Sequence, residues 1–434
     1  MARMKFIMVP IGSAGDVHPF IWIARLLQQR GHEVVFLAQE AVRKMPEAAG
    51  LKTIPWGNLQ RQEDILRNPD IWHPSKAIKL ILEHMPEWAR ESIPMIRSEL
   101  EGGEGRSVMI AGALAFGARV IAERWDVPLL TIHLQPTVFM SAVDTPVMMA
   151  KGEWLPKLPR FLRQLFFDFV NWRVDGLLGP TMGQVRESVG LPAGRVIGLM
   201  RSYWNSPDGV LCTFPEWFAP KASDWPPQAV VTRFPLYDES TDRPLDASLE
   251  QFMSAGEPPI VITPGSANAH GHSFIRESLL ACQRIGKRAL VVTRFPETVG
   301  PLPAGSASFE YVPFGRIFLR AAAVVHHGGV GTTAQCLAAG VPQFLMPMAH
   351  DQPDNAARIK KMECGDYLYP GKFKARRIAK KLSLLLASDA IKSACAEGRR
   401  RIKEQMSESQ MGELIEQLSE RAIEKRAGAV AAMH

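Results

Sequence analysis

The sequence predicts an α/β protein of two doubly wound, Rossmann-like domains that face each other across a cleft. Three observations predict it. At 434 residues the chain exceeds the roughly 250 residues at which one hydrophobic core stops growing. Short apolar runs alternate with longer amphipathic stretches, the pattern of βαβ units and a parallel sheet. The same alternation starts afresh after Pro258.

In the first series KFIMVPIG reads as a strand, PFIWIARLLQQRGH as a helix ended by Gly31, and EVVFLA as a strand. SVMIAG, ALAFGARVIAERW and VPLLTIHL repeat the order. In the second series PIVITPGS, KRALVVT, AAAVVHH and VPQFLMP read as strands, with FIRESLLACQRIG and TTAQCLAAG as helices. The stretch between them, 216–244, is dense in Pro and Trp and lacks periodicity, which marks a linker. The expected organisation is an N-terminal domain over 1–218, a linker over 219–244 and a C-terminal domain over 245–400. A charged helical tail over 401–434 is either a solvated surface helix or one packed back on the junction.

Hydrophobic content of 46%, with 22% charged residues, is that of an ordinary globular protein. The five cysteines, Cys212, Cys282, Cys336, Cys364 and Cys395, are dispersed and form no C-x-x-C pair, which fits a reducing cytoplasm and neither a disulfide framework nor a zinc site. The apolar run after the two early positive charges is too short for a leader and reads as the first strand. No stretch approaches the ~18 apolar residues of a membrane-spanning helix, so any membrane contact is peripheral. The net charge of +7 favours anionic partners, with nucleic acid the weaker inference, because the basic stretches lack interleaved aromatics.

Ala321 to Asn355, AAAVVHHGGVGTTAQCLAAGVPQFLMPMAHDQPDN, places two histidines and a glycine turn between a strand and a helix whose first residues are expected at Gly331, Thr332 and Thr333. A helix N-terminus with close backbone approach suits phosphate, and a histidine there can donate to a phosphate oxygen. His-Gly-Gly alone more often marks tight strand-to-helix packing. His326 and His327 are adjacent on a strand, so they point to opposite faces. Asp351 and Gln352 follow the next strand and suit paired sugar hydroxyls, although Asp351 equally suits a helix N-cap. Gly265 and Ser266 end a third strand on the same edge. Together they describe a site for a phosphorylated, sugar-like ligand, with no metal motif and no cofactor expected.

In the N-terminal half, IGSAGDVHPF lacks the third glycine of the dinucleotide fingerprint. Asp16 and His18 flank the first helix, with Pro19 suited to its first turn. Taken alone, Asp16 reads as an N-cap and His18 as a surface residue; facing a sugar-phosphate crevice, they are candidates for proton abstraction. In WLPKLPRFLRQLFFDFVNW, Phe161, Leu162, Leu165, Phe166, Phe169 and Val170 repeat at helical spacing and are expected to face the core. The alternative is an apolar wall for a greasy acceptor, with Lys157, Arg160 or Arg163 near an acidic head group and Trp72, Met85, Trp88 and Met95 lining the same cleft.

These residues together resemble the GT-B glycosyltransferases of family 1. HHGGVGTT…AAGVPQFLMPMAHDQPDNAARI is similar to their donor signature and GSAGDVHP to the first acceptor-side loop of the bacterial and sterol branches. The likeness covers essentially the whole chain and extends to the rhamnosyltransferases of rhamnolipid synthesis. It implies an acceptor-binding N-terminal domain, a donor-binding C-terminal domain and transfer from a nucleoside diphosphate sugar, dTDP-rhamnose or UDP-glucose, to a hydrophobic hydroxyl-bearing acceptor. It further implies that His327 touches the diphosphate, with backbone at Gly329, Gly331, Thr332 and Thr333, and that Ser266 adds a phosphate contact. Asp351 and Gln352 would hold sugar hydroxyls, Val312 would meet the base through its backbone, and Phe295 or Phe314 would stand where plant relatives stack tryptophan. Asp16 falls on the position of the catalytic base, with His18 an acceptor contact or alternative base. An unperturbed aspartate, with a pKa of about 3.9, is a weak base unless its surroundings raise that value. The rival classes are a nicotinamide-dependent dehydrogenase, a sugar-nucleotide epimerase of the same fold and a non-catalytic partner subunit.

Overall fold

A computed structural model of the chain describes residues 3–73, 76–101, 106–149, 152–238, 244–266, 268 and 270–431. Seven parallel strands form the first sheet, in the order β3-β2-β1-β4-β5-β6-β7, from β1 (Lys5–Val9), β2 (Glu33–Gln39), β3 (Lys52–Trp56), β4 (Ser107–Gly112), β5 (Leu129–His133), β6 (Val210–Cys212) and β7 (Ala229–Val231). Six more form the second, in the order β10-β9-β8-β11-β12-β13, from β8 (Ile260–Thr263), β9 (Ala289–Val292), β10 (Ser306–Phe309), β11 (Ala323–His326), β12 (Gln343–Leu345) and β13 (Gly365–Tyr367). The central strands are buried along their whole length because helices cover both faces, which is why they read as unbroken apolar runs. Each sheet reverses its strand order beside its first strand, between β1 and β4 and between β8 and β11. Ligands of doubly wound sheets gather at the carboxyl ends of such strands.

β7 lies inside the expected linker 219–244 and extends the N-terminal sheet. The Trp- and Phe-rich segment around it is also packed: Phe214, Phe218, Trp225 and Phe234 share one apolar cluster with Ala334, Leu337, Ala356 and Ile359 of the C-terminal domain. At the other end, the helix Asp389–Glu404 belongs to the C-terminal domain and the helix Glu408–Ala431 crosses back. Its Met411, Ile415 and Leu418 enter the N-terminal core beside Phe6, Val34 and Leu27.

The helix Arg160–Glu187 corrects one expectation. Phe161, Leu162, Leu165 and Phe169 are exposed, while Phe166 and Val170 are only partly buried. The inward face is instead taken by Phe167, Asn171, Val174, Leu178 and Met182. Both faces of this helix are apolar, so periodicity alone cannot choose between them.

Candidate active site

The chain leaves β1 through Gly12, whose φ of +135° is open to glycine and strained for other residues. A Cβ at Gly12 would lie 2.3 Å from Oδ2 of Asp16, so the backbone wraps closely around that carboxylate. Ser13 is the N-cap of the helix Ala14–Gln29 and Asp16 the third helical residue. The Ser13 N–H and Oγ donate to Asp16 Oδ2 at 2.8 and 3.2 Å. Asp16 therefore closes a capping box rather than serving as the N-cap, and Pro19 lies beyond the first turn. Desolvation pushes the Asp16 pKa above its ordinary value, outweighing the opposing hydrogen bonds from Ser13.

His18 is two residues further on, roughly 200° around the helix. Its ring meets that of Tyr237, in the segment between the sheets, at a centroid distance of 5.5 Å. The two candidate bases therefore do not address one point.

On the C-terminal side His327 follows β11. A Cβ at Gly265 would stand 2.6 Å from its Cε1, and one at Gly329 would stand 2.6 Å from its Nε2, so two glycines make room for the ring. Burial, assisted by neighbouring His350, lowers the His327 pKa to about 4, so the imidazole is neutral at pH 7. Its Nδ1 is buried without a partner among the described residues. His326 turns the other way, as alternation along a strand requires: Nε2 pairs with Gln343 Oε1 at 3.0 Å and Nδ1 accepts from the Gly328 N–H at 3.1 Å.

The helix Val330–Ala339 starts one residue before the expected Gly331, with Gly329 as N-cap. Its Val330 N–H donates to Asp351 Oδ2 at 3.2 Å. The amides of Gly331 and Thr332 remain in the first turn without an intrahelical acceptor. Thr333 is fully buried, so its hydroxyl faces inward, whereas Ser266 is exposed directly after Gly265.

Asp351 occupies the N-cap position of the helix Gln352–Lys361, but its side chain does not cap that helix. It accepts from Val330 and from Asn355 Nδ2 at 2.7 Å. Burial raises its pKa to about 7; Asn355 opposes this, and the charge of Asp16 adds to it. The two carboxylates, one from each domain, therefore lie close enough across the cleft for their charges to interact. Gln352 is buried, its Oε1 accepting from the amides of Met348 and Ala349 at 2.9 and 3.4 Å, which leaves its amide nitrogen for a ligand. Val312 packs its side chain into the core with Leu290 and Phe318, so only backbone can reach a base. Phe295 is half-buried after β9, and Phe314 lies flat against Phe318 at 4.5 Å.

Of the four residues expected along the cleft, Trp72 reaches it, its ring 6.4 Å from His327 and 5.8 Å from His350. Met85 and Trp88 are buried in the N-terminal core and Met95 packs against it. His350, in a left-handed conformation at φ +59°, bonds through Nε2 to the Ile71 carbonyl at 2.8 Å and ties the domains together. Trp72 Nε1, His327 Nδ1, Thr333 Oγ1 and Asn355 Oδ1 are all buried without partners among the described residues. Buried polar atoms of this kind call for a partner, and a ligand in the cleft would supply one. A cavity of about 380 Å³ beside Phe139, Phe167 and Trp225 includes none of these residues.

Comparison with known proteins identifies the family. Residues 6–143 match the glycosyltransferase family 28 N-terminal domain, and residues 288–420 the C-terminal domain of erythromycin biosynthesis protein CIII-like proteins. The chain is 30% identical over 378 residues to the O-mycaminosyltylonolide 6-deoxyallosyltransferase of Streptomyces fradiae, covering 83% of this chain and 84% of that protein. The chain belongs to the GT-B glycosyltransferases. A sterol 3-beta-glucosyltransferase of Arabidopsis thaliana is 26% identical to this glycosyltransferase, over 90% of its chain and 62% of the plant protein. Among solved structures, spinosyn forosaminyltransferase shares the glycosyltransferase's fold at a TM-score of 0.69 and 18% identity, over 96% of this chain and 100% of its own. Spinosyn rhamnosyltransferase does so at 0.67 and 18%, with the same coverage. The enzyme thus transfers a sugar from a nucleotide donor.

His350, Asn355 and Tyr237 were not singled out in the sequence. Only Asn355 leaves a trace there, standing four residues after Asp351 and hence on the same helical face.

Proposed function

We propose that this glycosyltransferase works by metal-independent inversion. It moves a hexose or deoxyhexose from dTDP-rhamnose or UDP-glucose to a hydroxyl of a hydrophobic acceptor, of the hydroxyacyl-lipid type. The observation that carries the proposal is the convergence of Asp16, Asp351, His327 and the first turn of Val330–Ala339 on one cleft. Asp16 removes the acceptor hydroxyl proton as the oxygen bonds to the anomeric carbon. The bond from that carbon to the diphosphate oxygen breaks on the opposite side, releasing nucleoside diphosphate. Neutral His327 donates a hydrogen bond to the leaving diphosphate, and the amides of Gly331 and Thr332 receive its developing charge. Asp351 and the Gln352 amide nitrogen hold sugar hydroxyls, while Ser266 adds a phosphate contact.

A deoxyhexose is favoured by the relative named for a 6-deoxyallosyl transfer and by the fold shared with a spinosyn rhamnosyltransferase. A second reading, glucosylation of a sterol-like acceptor from UDP-glucose, is favoured by the likeness to the plant sterol glucosyltransferase. Thermal stabilisation by dTDP, UDP, dTDP-rhamnose, UDP-glucose and NAD at matched concentration separates them. The first reading expects the largest shift from dTDP-rhamnose, with dTDP release only when a hydroxyacyl lipid is added. A larger shift with UDP-glucose selects the second. Donor turnover without any acceptor would overturn both in favour of an epimerase.

A further inference from the structure

The helix Arg160–Glu187 exposes Phe161, Leu165, Phe169 and Trp172 at 64, 59, 58 and 61% of their surface. At 100° per residue these four occupy a sector roughly 80° wide. The face opposite is already buried, so this is a second apolar face where a globular protein puts polar side chains. The aromatic rings gather: Phe169 and Trp172 lie 5.8 Å apart, and exposed Trp154 meets the ring of Phe166 at 6.2 Å.

Basic residues outnumber acidic ones around this stripe. Lys157, Arg160 and Arg173 are exposed. The neighbouring acids are engaged: Asp168 pairs with Arg201 at 2.5 Å, and Glu153 accepts from the hydroxyls of Tyr367 and Tyr369. We propose that this face docks the glycosyltransferase on an anionic lipid bilayer, with the aromatic stripe in the acyl boundary and the three cations on phosphate headgroups. Large aromatics flanked by basic residues are the composition of an interfacial helix, and each cation near an anionic surface adds attraction. A two-fold contact between copies would bring the same cations together over the same stripe. Among the described residues no helix is long and apolar enough to cross a membrane, so the contact lies in the interface plane. Arg163 of this helix donates to Thr145 Oγ1 at 3.0 Å, next to Asp144, which pairs with Arg358 of the C-terminal domain at 2.7 Å. Docking therefore sets the junction of the two domains beside the bilayer.

The inference needs neither donor nor acceptor and stands apart from the proposed reaction. The full chain is sedimented with vesicles of phosphatidylglycerol and phosphatidylcholine, and with phosphatidylcholine alone. Retention on the anionic vesicles, weakened by salt, is expected. Phe161→Ser with Phe169→Ser and Trp172→Ser should lower partition by at least about tenfold, as should Arg160→Glu with Arg173→Glu, with the melting temperature unchanged in each set. The proposal is overturned by absence of retention, by retention indifferent to both sets, or by a solution dimer that the serine set dissociates. Capture of an acidic protein on this face without vesicle binding would also overturn it.

Discussion

The carboxylates of Asp16 and Asp351 come from different domains, yet the charge of Asp16 helps to raise the pKa of Asp351. Such coupling is reciprocal, because an ionised Asp351 opposes the ionisation of Asp16 by the same amount. Asp16, a carboxylate too acidic in water to be an effective base, is made more basic by burial.

Asp16→Asn should lower kcat by about 10²- to 10⁴-fold, the usual worth of a general base, with a smaller change in donor affinity. His18→Ala should leave most turnover intact and act through the acceptor KM, because His18 packs against Tyr237. Steady-state kinetics with saturating donor distinguish the two. An unaffected Asp16→Asn beside an inactive His18→Ala would reverse the assignment. Activity should rise with pH as Asp16 ionises from its raised pKa.

Asp351→Asn should stabilise the protein in a pH-dependent way. The folded pKa, about 7, is raised above the unfolded value of about 3.9. The unfolded chain therefore ionises first, and stability is lost as pH rises from about 4 to about 7. The variant should melt higher than the parent at pH 8, and the gap should close by pH 4. Melting scans across that range check it; a gap independent of pH would dismiss the ionisation as its cause.

The strands legible in the sequence are those buried on both faces, where continuous apolar runs leave little ambiguity. The short strands β3, β7, β10 and β13 gave no comparable signal: β13 is GDY, β10 is SASF, and β7 sits in a Pro-rich stretch. Of the candidate site, the residues following strand ends stood out because three strand ends fall on one sheet edge, where ligands of such sheets gather. The contact of Trp72 with His327 joins positions more than 250 residues apart, and no local pattern encodes it. The outward face of Arg160–Glu187 is not legible in the sequence because apolar residues stand on both faces of that helix.

Two glycines of the donor corner should respond differently to alanine. Gly265→Ala adds a Cβ at φ +97° against the His327 ring. It should cost roughly 1–3 kcal/mol of stability and weaken dTDP binding. At Gly331 a Cβ meets nothing within 4 Å. Gly331→Ala should leave the melting temperature alone and still weaken dTDP, because its methyl projects beside the amide assigned to the diphosphate. Calorimetric titration beside melting scans measures both effects. Unchanged dTDP affinity in Gly331→Ala would move the diphosphate away from this turn.

The C-terminal helix should prove indispensable to the N-terminal domain. Glu416, with a side chain 4% exposed, accepts from Arg30 Nε at 2.7 Å and lies 2.9 Å from His32 Nε2. The Arg30 hydrogen bond, helped by His32 and opposed by burial, lowers its pKa to about 2. Its folded pKa is depressed, so its contribution is complete above the unfolded value near 4.5 and is lost as pH falls toward 2. Glu416→Ala should cost roughly 3 kcal/mol at pH 7, since it strands a buried histidine and a partly buried arginine. Beside this pair Met411, Ile415 and Leu418 enter the core, each worth roughly 1.5–3 kcal/mol. A fragment of residues 1–238 should therefore fail to fold alone, and a peptide of residues 406–431 supplied in trans should restore its far-ultraviolet circular dichroism. A fragment that folds without the peptide would show that the crossing helix is a tether and not part of the core.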